Sequence, residues 1–133
     1  MGIFNNMFGA KGEKDSKPEK KAYLNWIPLI SIAQLKEIKE QSKTESVFVF
    51  KHSTRCGISS MVIKRFENLF TEEHQHLKVY YLDLLNYRNI SDEIGVSFKV
   101  MHQSPQLIVL KNEISVFDAS HYDITTMNLT RFI

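Results

Sequence analysis

The feature that most constrains the fold of this chain is an uninterrupted apolar run, Val-Phe-Val-Phe at residues 47–50, with polar residues on either side. Because the run does not alternate with polar residues, it predicts a strand that is buried on both faces and is therefore central in a sheet. Residues 51–56 form a polar segment that we interpret as a turn, and from Ile58 onward apolar residues recur at helical spacing. The pattern predicts an α/β fold.

The rest of the chain supplies further strands and helices around this central strand. Pro28 within the apolar residues 24–30 indicates an edge strand, and a helix is predicted from an N-cap at Ser31 to about Ser42. Strands are predicted at residues 77–82, 106–110 and 114–117, a short helix at 90–95, and a final amphipathic helix from about Tyr122. Right-handed crossovers followed by a hairpin give a thioredoxin-like fold: a mixed central β-sheet flanked by helices on both faces, with an extra N-terminal β-α.

Composition limits the number of domains and the class of partner. Residues 1–22 carry a long charged run, which predicts a flexible tail, and residues 23–133 are assigned to one thioredoxin-like domain. A formal net charge of +2, with basic and acidic residues interspersed, argues against nucleic-acid and membrane partners. We find no signal peptide or membrane span, and one cysteine cannot close an internal disulfide. We therefore expect a cytoplasmic protein with a reduced thiol.

The single cysteine, Cys56, falls where the central strand has ended and the next helix begins. A sulfur there faces the unpaired amides and the positive dipole end of the helix, and Arg55 and Lys51 add positive charge, so we expect the thiolate to be favoured. A free cysteine is more often a small buried hydrophobe. The polar neighbours, among them Ser53 and Thr54, argue against such an apolar site. Cys56 is therefore the candidate nucleophile.

Two residues that follow Cys56 bear on its access and its environment. Gly57 leaves no side chain beside the sulfur, which opens a path for a bulky disulfide; a purely conformational role in the strand-to-helix turn is the alternative. Ser59 lies three residues after Cys56, where a dithiol oxidoreductase has its second cysteine. Its hydroxyl either donates a hydrogen bond to the thiolate or helps to satisfy the helix start.

The dipeptide Ser104-Pro105 directly precedes the predicted strand at residues 106–110. In a thioredoxin-type fold a proline at this place is cis and lies across from the active-site thiol, which is what we expect here; a trans proline at a strand start is the alternative. A cis bond exposes the backbone of the preceding residue, which can then pair with an extended ligand. Ser104 and Pro105 are thus predicted to bind substrate.

The histidines give weaker indications. His52, near the end of the central strand, is either a proton shuttle or a structural hydrogen-bonding residue. His74 and His76 lie in a polar connection and are predicted to be solvated, while His102 and His121 belong to no motif. We find no phosphate loop, paired metal ligands or Ser-His-Asp set, so no metal site and no tightly bound cofactor are predicted.

The string Lys-His-Ser-Thr-Arg-Cys at residues 51–56, with Ser-Pro-Gln-Leu-Ile-Val-Leu at 104–110, resembles the YtxJ-type monothiol bacilliredoxins over residues 24–133. The resemblance implies a thioredoxin fold, a cytoplasmic setting, and removal of bacillithiol or a similar low-molecular-weight thiol from mixed disulfides. That thiol would be the co-substrate and S-thiolated proteins the partners. The implied catalytic residue is Cys56, and the substrate-binding residues are Thr54, Arg55, Gly57, Ile58, Ser59, Ser104 and Pro105.

The sequence departs from the family after the cysteine, where many relatives have proline. Here Gly57 creates Cys-Gly-Ile-Ser, which is similar to the Cys-Gly-Phe-Ser of monothiol glutaredoxins and opens a second interpretation. In that interpretation Cys56 and a bound thiol ligate a shared [2Fe-2S] cluster. Thiol exchange remains favoured, because residues 118–123 lack the glycine pair with which glutaredoxins hold glutathione. A third interpretation is a non-catalytic thioredoxin-like adaptor whose cysteine is inert.

Overall fold

The computed structural model describes residues 23–133, and the predicted tail at residues 1–22 lies outside that range. Within the described part, no helix is both long enough and apolar enough to reach across a bilayer. Residues 23–133 contain three α-helices: α1 (Gln34–Ser42), α2 (Gly57–Glu67) and α3 (Arg88–Phe98). The strands are β1 (Trp26–Pro28), β2 (Val47–His52), β3 (Lys78–Asp83), β4 (Gln106–Lys111) and β5 (Ile114–Ser120), and short 3-10 helices cover Glu72–His74, His121–Thr126 and Leu129–Phe132.

The five strands form one mixed sheet in the order β1-β3-β2-β4-β5. β1 and β2 run parallel to β3, whereas β4 runs antiparallel to both β2 and β5. The strand predicted to be central, β2, lies in the middle, and all six of its residues are buried. The edge position predicted for β1 from Pro28 is also confirmed. The mixed α/β sheet and its thioredoxin-type order agree with the prediction from the sequence.

β2 is longer than the sequence indicates, because it continues through Lys51 and His52. The interpretation of these two residues as part of a polar turn is wrong. Lys51 pairs with Gln106 of β4, and His52 pairs with Asp83 of β3. Backbone pairing on both sides thus extends the strand beyond its last apolar residue. Successive side chains of the strand point to opposite faces, so Lys51 and His52 enter different layers.

The two layers of core differ in their side chains. One face of the sheet, which we call the aromatic face, packs against α2 and the C-terminal 3-10 helices, and its core includes Phe48, Phe50, Val62, Phe66, Phe70 and Ile124. The other, the aliphatic face, packs against α1 and α3, and its core includes Leu35, Ile38, Val47, Val49, Ile90, Ile94 and Ile108. Each fully buried Phe or Leu stabilises the fold by about 1.5–3 kcal/mol relative to exposure.

The start of α1 differs from the prediction. Ser31 is not the N-cap; that position is held by Ala33, which makes no capping bond through its side chain. Instead, Gln34 Oε1 accepts hydrogen bonds from the amides of Ile30 and Ser31, at 2.7 and 3.0 Å, and its Nε2 donates to Pro28 O. A residue inside the first turn therefore satisfies the amides that precede the helix, so a hydroxyl cap is not required.

The C-terminus also differs, because the predicted amphipathic helix is replaced by two 3-10 helices. Met127 between them has an extended backbone, with φ −72° and ψ 154°. Asn128 then caps the second helix by accepting a hydrogen bond from Thr130 N at 3.0 Å. Ile124 and Leu129 are buried in this broken arrangement. Burial of the apolar residues therefore does not require a continuous α-helix here.

Candidate functional site

Cys56 is the N-cap residue of α2, with an extended backbone at φ −104° and ψ 120°. Its carbonyl accepts the first helical hydrogen bond, from Ser60 N at 3.1 Å, and its own amide donates to Ser53 O at 3.2 Å. The side chain is half-buried and makes no capping hydrogen bond. Helix geometry leaves the first amides of α2 without backbone partners, so the sulfur stands at the positive end of the helix dipole.

The charges around the start of α2 favour an anion there. Its first turn contains no acidic residue, and Arg55 directly precedes Cys56 on the surface. Lys51, which we expected to add positive charge beside Cys56, belongs instead to the aliphatic layer, because it alternates along β2 with residues of the aromatic face. Its ammonium nitrogen lies 3.4 Å from His102 Nδ1. The favourable charge at the sulfur is therefore that of the helix start and Arg55.

Access to Cys56 is open on the side of Gly57. A Cβ built at Gly57 meets no atom within 4 Å, and the residue does not have a positive φ. The turn thus makes no demand for glycine, and the conformational alternative is wrong in this respect. Ile58 and Met61 of α2 are exposed at 41% and 36%. An open and partly apolar surface therefore adjoins the cysteine.

Ser59 is fully buried and ties the segment before Cys56 to the end of β2. Its hydroxyl lies 2.8 Å from His52 Nδ1 and accepts a hydrogen bond from Ser53 N at 3.2 Å. Burial lowers the pKa of His52, against the charges of Asp83 and Glu67, which raise it. A neutral His52 therefore serves as a structural partner of Ser59. The described contacts of Ser59 are with His52 and with the amide of Ser53, which precedes α2, so its role differs from the helix-start role considered from the sequence.

The Ser104–Pro105 peptide bond is cis, as expected from the sequence. Pro105 is buried, and its carbonyl accepts a hydrogen bond from His121 N at 3.0 Å. The Ser104 hydroxyl is buried with no hydrogen-bond partner among the described residues. Gln106, the next residue, pairs with Lys51 near the end of β2. The segment that leads into β4 and the segment that carries Cys56 therefore meet the sheet at the same edge.

A cavity of about 420 Å³ lies beside the segment that leads to Cys56. It is lined by Thr54 and Arg55, which follow β2, and by Leu85 and Asn86, which follow β3. The sequence analysis did not single out Leu85 and Asn86. The sequence could have indicated these two residues, because they closely follow a predicted strand. Ligand crevices form where parallel strands end at one edge of a sheet. Asn86 Nδ2 donates to Asp83 Oδ2 at 2.7 Å, which fixes the amide at the wall of the cavity.

The histidine predictions are corrected at one position. His74, expected to be solvated, is buried at 5% exposure. Its Nδ1 accepts a hydrogen bond from Thr71 N at 3.0 Å and so caps the short helix Glu72–His74. His76 is exposed as expected. Among residues 23–133, no group of three or more His, Cys, Asp and Glu side chains is arranged to hold a metal ion.

Comparisons with known proteins agree with this geometry. A family model described as monothiol bacilliredoxin BrxC matches residues 27–129. A solved structure described as a thioredoxin-fold protein with a provisional oxidoreductase assignment is 33% identical, over 80% of this chain and 91% of that chain, with a TM-score of 0.69. The thioredoxins of Fasciola hepatica and Malassezia sympodialis are each 18% identical. They cover 80% and 84% of this chain and 98% and 90% of their own, with TM-scores of 0.64 and 0.63, so they show the shared fold.

Proposed function

The chain belongs to the monothiol bacilliredoxin family, and from that premise we propose that Cys56 removes bacillithiol, or a similar low-molecular-weight thiol, from mixed disulfides on proteins. A thiol oxidoreductase is supported by the family and by the 33% identical neighbour, which has a thioredoxin fold and a provisional oxidoreductase assignment. The observation that carries the proposal is the place of Cys56. It is a half-buried thiol at the start of α2, with an open side at Gly57.

The chemistry requires one thiolate and one disulfide. The Cys56 sulfur attacks the sulfur of the small thiol in the mixed disulfide, and the bond to the protein sulfur breaks. The electron pair leaves on the protein sulfur, which takes a proton from solvent as it becomes a thiol. Cys56 is then joined to the small thiol, and the number of disulfide bonds is unchanged. A second molecule of the small thiol, or a reductase, restores Cys56 by the same exchange.

The residues around Cys56 suit the two halves of such a substrate. We propose that the small thiol occupies the cavity at Thr54 and Arg55, since a guanidinium binds anionic groups in a bidentate manner. The modified protein would lie along Ser104 and Pro105, at the edge where β4 begins. Gly57 and Ile58 would border the path of the disulfide, and Ser59 would keep the Cys56 segment in place. The partners are thus S-thiolated proteins, in a cytoplasm where free thiols persist.

Mass spectrometry tests the proposal directly. The protein is incubated with a synthetic peptide whose single cysteine carries bacillithiol as a mixed disulfide. We expect the protein to gain the mass of one bacillithiol and the peptide to lose it. Cys56→Ser should gain nothing, and Ser60→Ala, a matched substitution of an exposed residue on α2, should behave as the wild type does.

Two results would contradict the proposal. A wild-type protein that gains no mass would favour the adaptor interpretation, in which Cys56 is inert. A brown protein, purified without oxygen, whose colour depends on Cys56 would favour the cluster carrier.

A further inference from the structure

Lys51 is a fully buried lysine at the end of the central strand. Its side chain is 0% exposed, and among residues 23–133 no carboxylate lies within ion-pair distance of its ammonium nitrogen. Burial of an unpaired charge is costly, and most lysines avoid it by reaching the surface. The proposed exchange at Cys56 makes no use of this side chain, so its retention in the core needs another reason.

The nearest polar partner of Lys51 is His102, an exposed residue on the loop between α3 and β4. The ammonium can only donate, so His102 Nδ1, at 3.4 Å, is the acceptor. The buried hydroxyl of Ser91, on α3, lies 3.4 Å from the same nitrogen. The backbone of Lys51 pairs within the sheet, whereas its ammonium group contacts a residue of the loop that precedes β4.

A second buried polar residue holds the same loop. Gln106, at the start of β4, is 0% exposed and pairs with Lys51 across the sheet. Its Nε2 donates to Met101 O at 2.9 Å, and its Oε1 accepts from Gln103 N at 3.2 Å. The backbone on each side of His102 is therefore tied to Gln106, while the His102 ring is tied to Lys51. Residues 101–103 lead directly into Ser104 and Pro105.

We propose that Lys51 is a positioning residue, which acts through His102 to hold residues 101–105 in the form that binds the disulfide-bearing partner. The inference rests on the proposed function, because it assigns the substrate side of that site. Lys51 does not act on the Cys56 sulfur in this account, since it lies in the aliphatic layer. A loss of Lys51 therefore weakens substrate binding and leaves the thiolate as it is.

The contact depends on pH through His102. Burial lowers the pKa of His102, the charges of Lys51 and Arg88 lower it further, and Asp92 raises it. Burial lowers the pKa of Lys51 to about 8, against the charge of Asp92. At pH 7 a protonated Lys51 therefore donates to a neutral imidazole. When His102 is protonated at lower pH, two cations face each other and the contact is lost.

The test uses single-turnover transfer of bacillithiol from the modified peptide to the protein, measured against peptide concentration. Lys51→Met keeps the volume of the side chain and removes the charge. We expect the half-saturating peptide concentration to rise about tenfold, since a displaced binding segment costs productive alignment. The alkylation rate of Cys56 against pH should stay as in the wild type. Lys36→Met, on the exposed side of α1, has the same net charge as Lys51→Met. It should change neither the half-saturating peptide concentration nor the alkylation rate.

Substitutions at His102 separate positioning from a general effect on the core. His102→Asn keeps an acceptor close to the place of Nδ1 but does not titrate. In the wild type we expect the half-saturating peptide concentration to rise at lower pH, where the contact with Lys51 is lost. His102→Asn should bind the peptide as the wild type does at pH 7 and should show no such rise. His102→Ala removes the acceptor, so it should show the weaker binding of Lys51→Met at every pH. Because His102 is exposed, both variants should fold.

Amide hydrogen exchange gives a measurement that does not depend on catalysis. In Lys51→Met we expect exchange to accelerate at the amides of residues 101–104 and to stay unchanged in β2 and β3. Faster exchange with no transfer by the wild type would overturn the proposed function and leave the positioning role intact. Unchanged exchange at this loop would overturn the inference. So would unchanged half-saturation in Lys51→Met, or a shifted alkylation profile of Cys56.

Discussion

The two polar residues that end β2 lie side by side in sequence, yet they are held in opposite ways. His52 enters the aromatic face, where its partner is the buried hydroxyl of Ser59 at 2.8 Å. Lys51 enters the aliphatic face, where its partner is an exposed loop histidine, His102, at 3.4 Å. The first contact fixes the segment that carries Cys56, and the second reaches the segment that leads to Ser104 and Pro105.

The difference indicates how the proposed exchange site divides its tasks. The cysteine segment is held by a 2.8 Å contact between the buried side chains of His52 and Ser59 and by a 3.2 Å bond from the amide of Ser53, which suits a nucleophile whose place must not change. The backbone of the opposite segment is held by Gln106, but the ring of His102 is held by a longer contact between two titratable groups at the edge of the core. Such a contact can adjust when a protein partner binds, and it responds to pH. We therefore expect changes on the aromatic face to alter stability, and changes at Lys51 to alter substrate binding.

The largest expected effect comes from the core of the aromatic face. Phe66 packs at 5.2 Å from the rings of both Phe50 and Phe70, centroid to centroid. Phe66→Ala should lower the free energy of unfolding by about 3–5 kcal/mol, because it leaves a cavity in a close-packed layer. Ile94→Val, in the aliphatic face, should cost about 0.5–1.5 kcal/mol. Urea unfolding measures both. A loss below about 1 kcal/mol for Phe66→Ala would contradict the expectation that changes on the aromatic face alter stability.

The second effect is a dependence of stability on pH, between pH 8 and pH 10.5, that arises from Lys51. Its pKa falls from 10.5 to about 8 on folding, because burial disfavours the charge. Between these values the unfolded chain binds more protons than the folded one, so stability rises with pH. Relative to Lys51→Met, the wild type should gain about 2–3 kcal/mol between pH 8 and pH 10.5.

Urea unfolding of the two proteins across this range measures that gain, since the other titrating groups cancel in the difference. At pH 7 Lys51→Met should be at least as stable as the wild type, because an apolar side chain fits a buried site without loss of hydration. If the difference in free energy of unfolding between the two proteins does not change with pH, burial does not lower the pKa of Lys51. Lys51 would then not be a titratable contact at the edge of the core, as the comparison with His52 assumes.

The smallest of the three effects is expected at Ser59. Ser59→Ala removes the hydroxyl that accepts from Ser53 N and contacts His52 Nδ1. The buried ring of His52 and the partly buried amide of Ser53 would each lose a partner, which should lower the free energy of unfolding by about 1–2 kcal/mol. Ser60→Ala, one residue on and exposed, should stay within about 0.5 kcal/mol of the wild type. Equal values for the two variants, again from urea unfolding, would show that the short bond to His52 fixes nothing.

The sequence predicted those parts of the molecule that depend on local pattern. The apolar run of β2 and the helical spacing after Cys56 placed the cysteine at a helix start, where it is found. The partner of Lys51 could not be predicted, because His102 comes near it only through the pairing of β2 with β4. Ser59 is close to His52 in sequence, but the direction of its hydroxyl depends on how α2 packs against the sheet. The break at Met127 and the cap by Gln34 likewise depend on single side chains that no periodicity marks.

The most direct measurement is the rate at which iodoacetamide alkylates Cys56 at pH 7 in the folded protein and in the same protein unfolded in urea, followed by intact mass. Cys56 is the only cysteine in the chain, so no other thiol contributes to the signal. We expect the folded protein to react faster than the unfolded one, because an open thiol at the positive end of the helix dipole is the better nucleophile. A folded protein that reacts no faster than the unfolded one would contradict the proposal that Cys56 is an accessible nucleophile.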